Sequence, residues 1–189
     1  MILIFSIIVG VIALDQLTKW LAIEFLADKP TVFFWENVLH FTYSENTGMA
    51  FGLLSDQRWI FMVLSTVAII GIVIYLIFFK PKNIWLQISL AMIVGGGIGN
   101  MIDRIFRTGV VDFIILKPIK FIINDAIFNI ADTFVCIGAG IMIVYLIIDM
   151  IKEFRDERAA KKTGTAKGAA NEVTSTSTTA EQNGDDNVE

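Results

Sequence analysis

Four groups of polar residues interrupt apolar stretches of this 189-residue chain, and their spacing points to carboxylate chemistry. Asp15 and Lys19 stand four residues apart, so on a helix they share a face about one turn apart. Asn100, Asp103 and Arg104 follow at i, i+3 and i+4, again on one face. Asp112 sits inside Val110-Val111-Asp112-Phe113, and Asn129 and Asp132 open a further apolar run at i and i+3. Two carboxyls held close together cannot both ionise cheaply, so one keeps its proton near neutral pH. Such a pair supplies a base to activate water and an acid to polarise a carbonyl.

Other chemistries have little to work with. Cys136 is the single cysteine and lies within an apolar run, which leaves no intramolecular disulfide and no multi-cysteine metal site. His40 is the single histidine, expected at a half-buried loop or strand position, and cannot anchor a zinc site of the multi-histidine kind. No Gly-x-Ser-x-Gly elbow and no His-Glu-x-x-His is present. No metal and no cofactor is expected.

Each polar group also has a plainer reading. Asp15 and Lys19 suit an ion pair that holds helices together. Gly95 and Gly99 have the small-xxx-small spacing that lets another helix approach, and the polar trio after them could anchor that contact. Asp112 could be a solvated carboxylate on a strand whose alternation turns it from its apolar neighbours. Asn129 or Asp132 could simply cap a helix.

The elements that must position these residues are membrane helices. Apolar residues make up 55% of the chain and charged ones 18%, with a mean hydropathy of +0.67. That balance calls for a solvent other than water. A net charge of −4 implies no basic nucleic-acid surface. About 20 mostly apolar residues span a bilayer core, and four windows qualify: about 2–26, 59–79, 84–104 and 130–151. The first lacks a basic leader and a small-residue cleavage site, so it reads as a retained helix. Ionisable residues in such helices cost about 2.5–3.5 kcal/mol each on insertion scales and mark a function or a pair.

Lys80, Lys82 and the basic residues from Lys152 to Lys162 flank one side of the bundle. The positive-inside rule therefore places both termini in the cytoplasm. The outer segments, 27–57 and 105–129, carry β-branched and aromatic runs at Val32–Tyr43, Val110–Leu116 and Phe121–Ile123. They are expected to form a small sheet on the outer face. Residues 1–158 thus read as one transmembrane domain and the Lys-, Thr- and Ser-rich 159–189 as a disordered cytoplasmic tail. The fold class is an all-α four-helix transmembrane bundle with a small extracytoplasmic β-sheet or cradle.

The sequence resembles the bacterial lipoprotein signal peptidase (signal peptidase II) family. Five stretches carry the resemblance, in order: Asp15-Gln16-Leu17-Thr18-Lys19, Asn46-Thr47-Gly48-Met49-Ala50-Phe51-Gly52, Gly96 to Arg104, Val110 to Ile114, and Phe128 to Asp132. Met49 departs from the small residue common at that place. The resemblance implies a catalytic aspartate pair at Asp112 and Asp132. It also implies site-supporting or substrate-binding roles for Asp15, Lys19, Asn46, Gly48, Asn100, Asp103, Arg104 and Asn129. The implied substrate is a prolipoprotein bearing a diacylglyceryl cysteine, cleaved just before that cysteine at the outer face of the bacterial inner membrane. A monomer with no nucleic-acid partner is expected.

Two other classes would use similar residues. An ion or proton transporter also carries intramembrane carboxylates, but near the midplane and often in inverted repeats, and no repeat is visible here. An assembly factor would use the same polar network only to join helices.

Overall fold

The apolar windows fold as helices, since lipid offers no partners for backbone N–H and C=O groups and a helix pairs them internally. The computed structural model describes the backbone of residues 1–36, 38–47, 58–107, 109–117 and 127–182, with side chains as far as Arg158 apart from Arg58 and Phe61. Helix α1 runs Ile2–Leu26, α2 Arg58–Phe78, α3 Ile84–Phe106 and α4 Ile130–Gln182. Among the described residues, α1, α3 and Ile130–Arg158 of α4 are long and apolar enough to cross a membrane, and α2 adds the apolar stretch Met62–Phe78. Large apolar side chains such as Phe5, Trp20, Val63, Ile70 and Ile137 point outward. That surface suits hydrocarbon.

Helix α3 is the inner element, capped at its start by Asn83, whose side chain accepts the N–H groups of Trp85 and Leu86. Its glycines set how closely the neighbours pack. A Cβ on Gly95 would lie 2.8 Å from the Val11 side chain, one on Gly99 2.6 Å from Asp15 Oδ2, and one on Gly96 2.4 Å from the Ala131 carbonyl oxygen. Only a residue without a side chain permits those approaches, as the small-xxx-small spacing predicted. The buried residues of α1 are Ile4, Val11, Asp15, Lys19 and Ala22, a single stripe that turns from apolar to charged along the helix.

A four-stranded antiparallel sheet, ordered β1-β2-β3-β4, accompanies the helices. It comprises β1 (Val32–Trp35), β2 (Leu39–Asn46), β3 (Val110–Leu116) and β4 (Ile127–Phe128). Strand β3 has the expected limits. The run at Val32–Tyr43 forms two short strands folded on each other as a hairpin, the second reaching Asn46. The run expected at Phe121–Ile123 lies outside the described residues, as do Gly48 and Met49. Register runs from Phe41↔Ile114 to Ser44↔Asp112, so β2 carries one extra residue opposite Phe113. Such a bulge bends a strand and re-aims its side chains, here beside Asp112. Val111 and Phe113 pack with Ala22 of α1 in a buried apolar cluster. Alternation along the strand then sends Asp112 to the opposite face.

Residues 1–143 form one compact unit, which holds all four polar groups that interrupt the apolar stretches. Residues 144–189 form a second. Its backbone is helical through Gln182, beyond the end near 151 and the disordered 159–189 expected from composition. Residues 152–162 are rich in good helix formers, whereas the Thr-, Ser- and Gly-rich run after them is not, and nothing in the sequence explains its helical backbone.

Candidate active site

Asn129 stands at the centre of the polar cluster. It precedes α4 as its N-cap, with its side-chain Oδ1 accepting the Asp132 N–H at 2.9 Å. Its own N–H donates back to Asp132 Oδ2 at 3.2 Å. This reciprocal arrangement is a capping box built from Asn and Asp. The amide nitrogen of the same side chain donates to Asp112 Oδ1 at 2.6 Å and to Asn100 Oδ1 at 3.0 Å. One fully buried amide therefore touches both Asp112 and Asp132. Each carboxyl has a second amide donor, Asn46 Nδ2 to Asp112 Oδ2 at 3.0 Å and Asn100 Nδ2 to Asp132 Oδ1 at 2.8 Å.

Behind the two carboxyls lies an ion cluster with no access to solvent. Lys19 Nζ is 2.9 Å from Asp15 Oδ2, 2.9 Å from Asp103 Oδ2 and 2.8 Å from Asn100 Oδ1. All three ammonium hydrogens are thus used. Asp15 Oδ1 accepts the N–H of Ala131, and Asp103 Oδ2 accepts the N–H of Val111. Each anchoring carboxylate therefore holds the backbone one residue before Asp132 or Asp112, and Lys19 joins the two anchors. The pairing that the sequence suggested within α1 extends to α3 and, through backbone, to β3 and α4.

Arg104 is half-buried, donates to the Asn100 carbonyl at 3.3 Å, and its charge couples to those of Asp132, Asp112 and Asp103. Asp112 is only 3% exposed, so the solvated reading fails: the bulged β2 and the start of α4 close over it. Burial first, and then the charge of Asp132, raises the Asp112 carboxyl from 3.8 to about 7, against the opposing donors Asn46 and Asn129 and the charge of Lys19. The site thus offers two neighbouring carboxyls, one with its proton affinity moved to the neutral range, at the junction of helices and sheet.

The sequence matches the family profile described as Signal peptidase (SPase) II over residues 7–148. It is 41% identical over 152 residues to the lipoprotein signal peptidase of Halalkalibacterium halodurans, covering 80% of this chain and 92% of that one. It is 36% identical over 155 residues to the lipoprotein signal peptidase of Bacillus subtilis, covering 82% and 99%. The chain belongs to the signal peptidase II family. A solved structure described as a bacterial membrane enzyme superposes with a TM-score of 0.69 at 31% identity, covering 78% of this chain and 88% of the other. This signal peptidase II is accordingly a multi-pass membrane peptidase of a bacterium.

The structure brings Asp15, Lys19, Asn46, Asn100, Asp103, Arg104, Asp112, Asn129 and Asp132 into one connected cluster. Gly48 is the one expected site residue outside the described residues. Sequence reading passed over Gln16, whose amide donates to Asp15 Oδ2, the Gly99 carbonyl and Asp103 Oδ1 at 3.1, 3.1 and 3.3 Å. Its place within Asp15-Gln16-Leu17-Thr18-Lys19 was the available signal, but an uncharged residue beside two charged ones drew no notice. Arg107 was also passed over; it pairs with Asp103 at 3.7 Å. His40 lies on β2 away from these groups, more deeply buried than expected, with its ring edge-on to Phe33.

Proposed function

We propose that this chain is an aspartic endopeptidase that removes signal peptides from diacylglyceryl-modified prolipoproteins, cleaving just before the lipidated cysteine. One of Asp112 and Asp132 accepts a proton from water as the water attacks the scissile carbonyl. The other, protonated, hydrogen-bonds the carbonyl oxygen, and the pair then delivers a proton to the departing amine. The observation that carries this reading is the Asn129 side chain, hydrogen-bonded to Asp112 and to the backbone of Asp132 at once. It ties the Asp112 carboxyl to the backbone that carries Asp132, while the Asn129 N–H and the Asn100 amide hold the Asp132 carboxyl. The names of the curated relatives support the substrate class.

The lysine and arginine distribution supports a bundle in the inner membrane with both termini cytoplasmic and the site at the outer face. There the substrate's two acyl chains would hold it in the membrane plane and confine its search. The chain acts as a monomer and without a cofactor in this reading, with Arg104 and Asn46 bordering the substrate. The test is cleavage of a diacylglyceryl-modified and an unmodified prolipoprotein by purified protein in lipid. Only the modified substrate should be cut, and Asp112→Asn or Asp132→Asn should each abolish cutting while leaving the protein folded. Near-normal turnover by either variant sinks the dyad.

A further inference from the structure

Building on the dyad reading above, we propose that Lys19 and Asn100 hold Asp132 as the carboxylate that activates water, leaving the single proton of the pair on Asp112. The hydrogen bonds of Asn100 fix which way its amide points. Its Oδ1 accepts from the Lys19 ammonium at 2.8 Å and from Asn129 Nδ2 at 3.0 Å, so this end of the amide must be oxygen. Its Nδ2 is then committed to Asp132 Oδ1 at 2.8 Å. A cation on the oxygen end of an amide polarises it and makes its N–H a better donor. Through that amide, Lys19 favours a negative charge on Asp132 without touching it.

Two further features act the same way. Asp132 lies in the first turn of α4, where the N–H groups and helix dipole favour an anion, and it accepts the Asn129 N–H. Its side chain is also less completely covered than that of Asp112. Asp112 is placed differently: on a strand, nearly excluded from solvent, between the apolar Val111 and Phe113. Its donors are two neutral side-chain amides, and each carboxyl oxygen can accept one whether or not it carries the proton. Among the described residues, the charged groups around the pair are Asp15 and Lys19 on α1 and Asp103 and Arg104 on α3. Of these cations, Lys19 is engaged by the amide that serves Asp132.

Roles follow for each proton. Asp132 takes one from water as the water oxygen bonds to the scissile carbonyl carbon, and Asp112 gives its own to the carbonyl oxygen. The C–N bond then breaks as Asp132 returns its proton to the amine nitrogen, and Asp112 recovers one from a hydroxyl of the intermediate. The pair ends as it began.

The test is the pH profile of kcat/KM for a lipidated peptide substrate, in wild type, Asn100→Leu and Asn46→Leu. The ionised base sets the acidic limb and the protonated acid the alkaline limb. Asn100→Leu should move the acidic limb upward by about one pH unit or more, with the alkaline limb in place. Asn46→Leu should move the alkaline limb upward instead. Exchanged limbs, or limbs that stay still in both variants, overturn the assignment. If a variant folds poorly or turns over too slowly, carboxyl-13C aspartate NMR of the wild-type protein decides, with Asp112→Asn and Asp132→Asn used to assign the signals. Asp112 should titrate at the higher pH; the reverse order overturns the proposal. Turnover retained by those two variants would instead remove the dyad itself, so the two failures are distinguishable.

Discussion

The carboxylate of Asp15 accepts the backbone N–H of Ala131 at 2.9 Å, across 116 residues of chain. A helix start is usually capped from its own flank, and here Asn129 does supply a local cap. Asp15 serves the next orphan donor from another helix. The residue after Ala131 is Asp132, so α1 has a direct hold on the position of one carboxyl of the proposed dyad. Replacing Asp15 with Ala removes an acceptor from Ala131 and a counter-ion from Lys19. Breaking a buried ion pair from one side costs about 3–5 kcal/mol. A fall in the thermal unfolding midpoint in detergent, faster amide exchange at residues 130–132 and loss of cleavage should appear together.

Gly99 tests the same contact sterically. A methyl group there would lie 2.6 Å from Asp15 Oδ2, so Gly99→Ala must displace that carboxylate. Cleavage should drop at least tenfold. Gly71 and Gly140 have nothing within 4 Å of an added Cβ. In those places alanine should leave activity unchanged and raise stability by about 0.5–1 kcal/mol through helix propensity. Equal losses at all three positions, measured as initial cleavage rates, would show that the Gly99 effect is not local.

Asn129 both caps α4 and bridges the two aspartates, and Asn129→Ser separates these duties. A serine oxygen can still accept the Asp132 N–H and is as good a cap as asparagine. It has no second hydrogen to share between Asp112 and Asn100. The variant should keep most of its thermal stability yet lose activity by about a hundredfold or more, as an interaction worth a few kcal/mol in the transition state would require. Stability and activity falling in parallel would mean that the cap alone matters.

Stability should also respond to pH through Asp112. Its carboxyl is raised from 3.8 to about 7, so between those values the folded protein binds a proton that the unfolded chain has released. Stability from this group is therefore intact at low pH and declines as pH rises toward 7. Above that, the folded state bears the full cost of a buried charge beside Asp132. Asp112→Asn carries no such charge. Its unfolding midpoint should exceed that of the wild type at pH 8, and the advantage should shrink as pH is lowered toward 5. An advantage independent of pH would mean that Asp112 does not titrate in this range.

Much of this arrangement was legible in the sequence. Asp15, Lys19, Asn100, Asp103, Asp112 and Asn129 are conspicuous because they interrupt apolar runs, and polar groups buried there must find one another. The limits of α1, α2 and α3 followed from length, and the glycine spacing of α3 foretold its close packing. Depth was harder to read. Asp112 reads as plausibly solvated because strand alternation fixes its side of the sheet but not what covers that side. The bulge in β2 opposite Phe113 leaves no compositional trace, although it shapes the wall next to Asp112. Gln16 went unnoticed because a neutral amide carries no obvious penalty until its neighbours are known. Good helix formers carry α4 past Ile151 as far as about Lys162, but no pattern in the sequence marks its continuation to Gln182.

The helical cap supplied by Asp15 has a bearing on biogenesis. Among the described helices its donor lies in the last and its acceptor in the first. A growing polypeptide therefore carries an incomplete polar centre until α4 has emerged, and on the proposed mechanism it should cut nothing before then. For the same reason, exchanging the leading helix for an unrelated anchor would yield a protein that reaches the bilayer and stays inert.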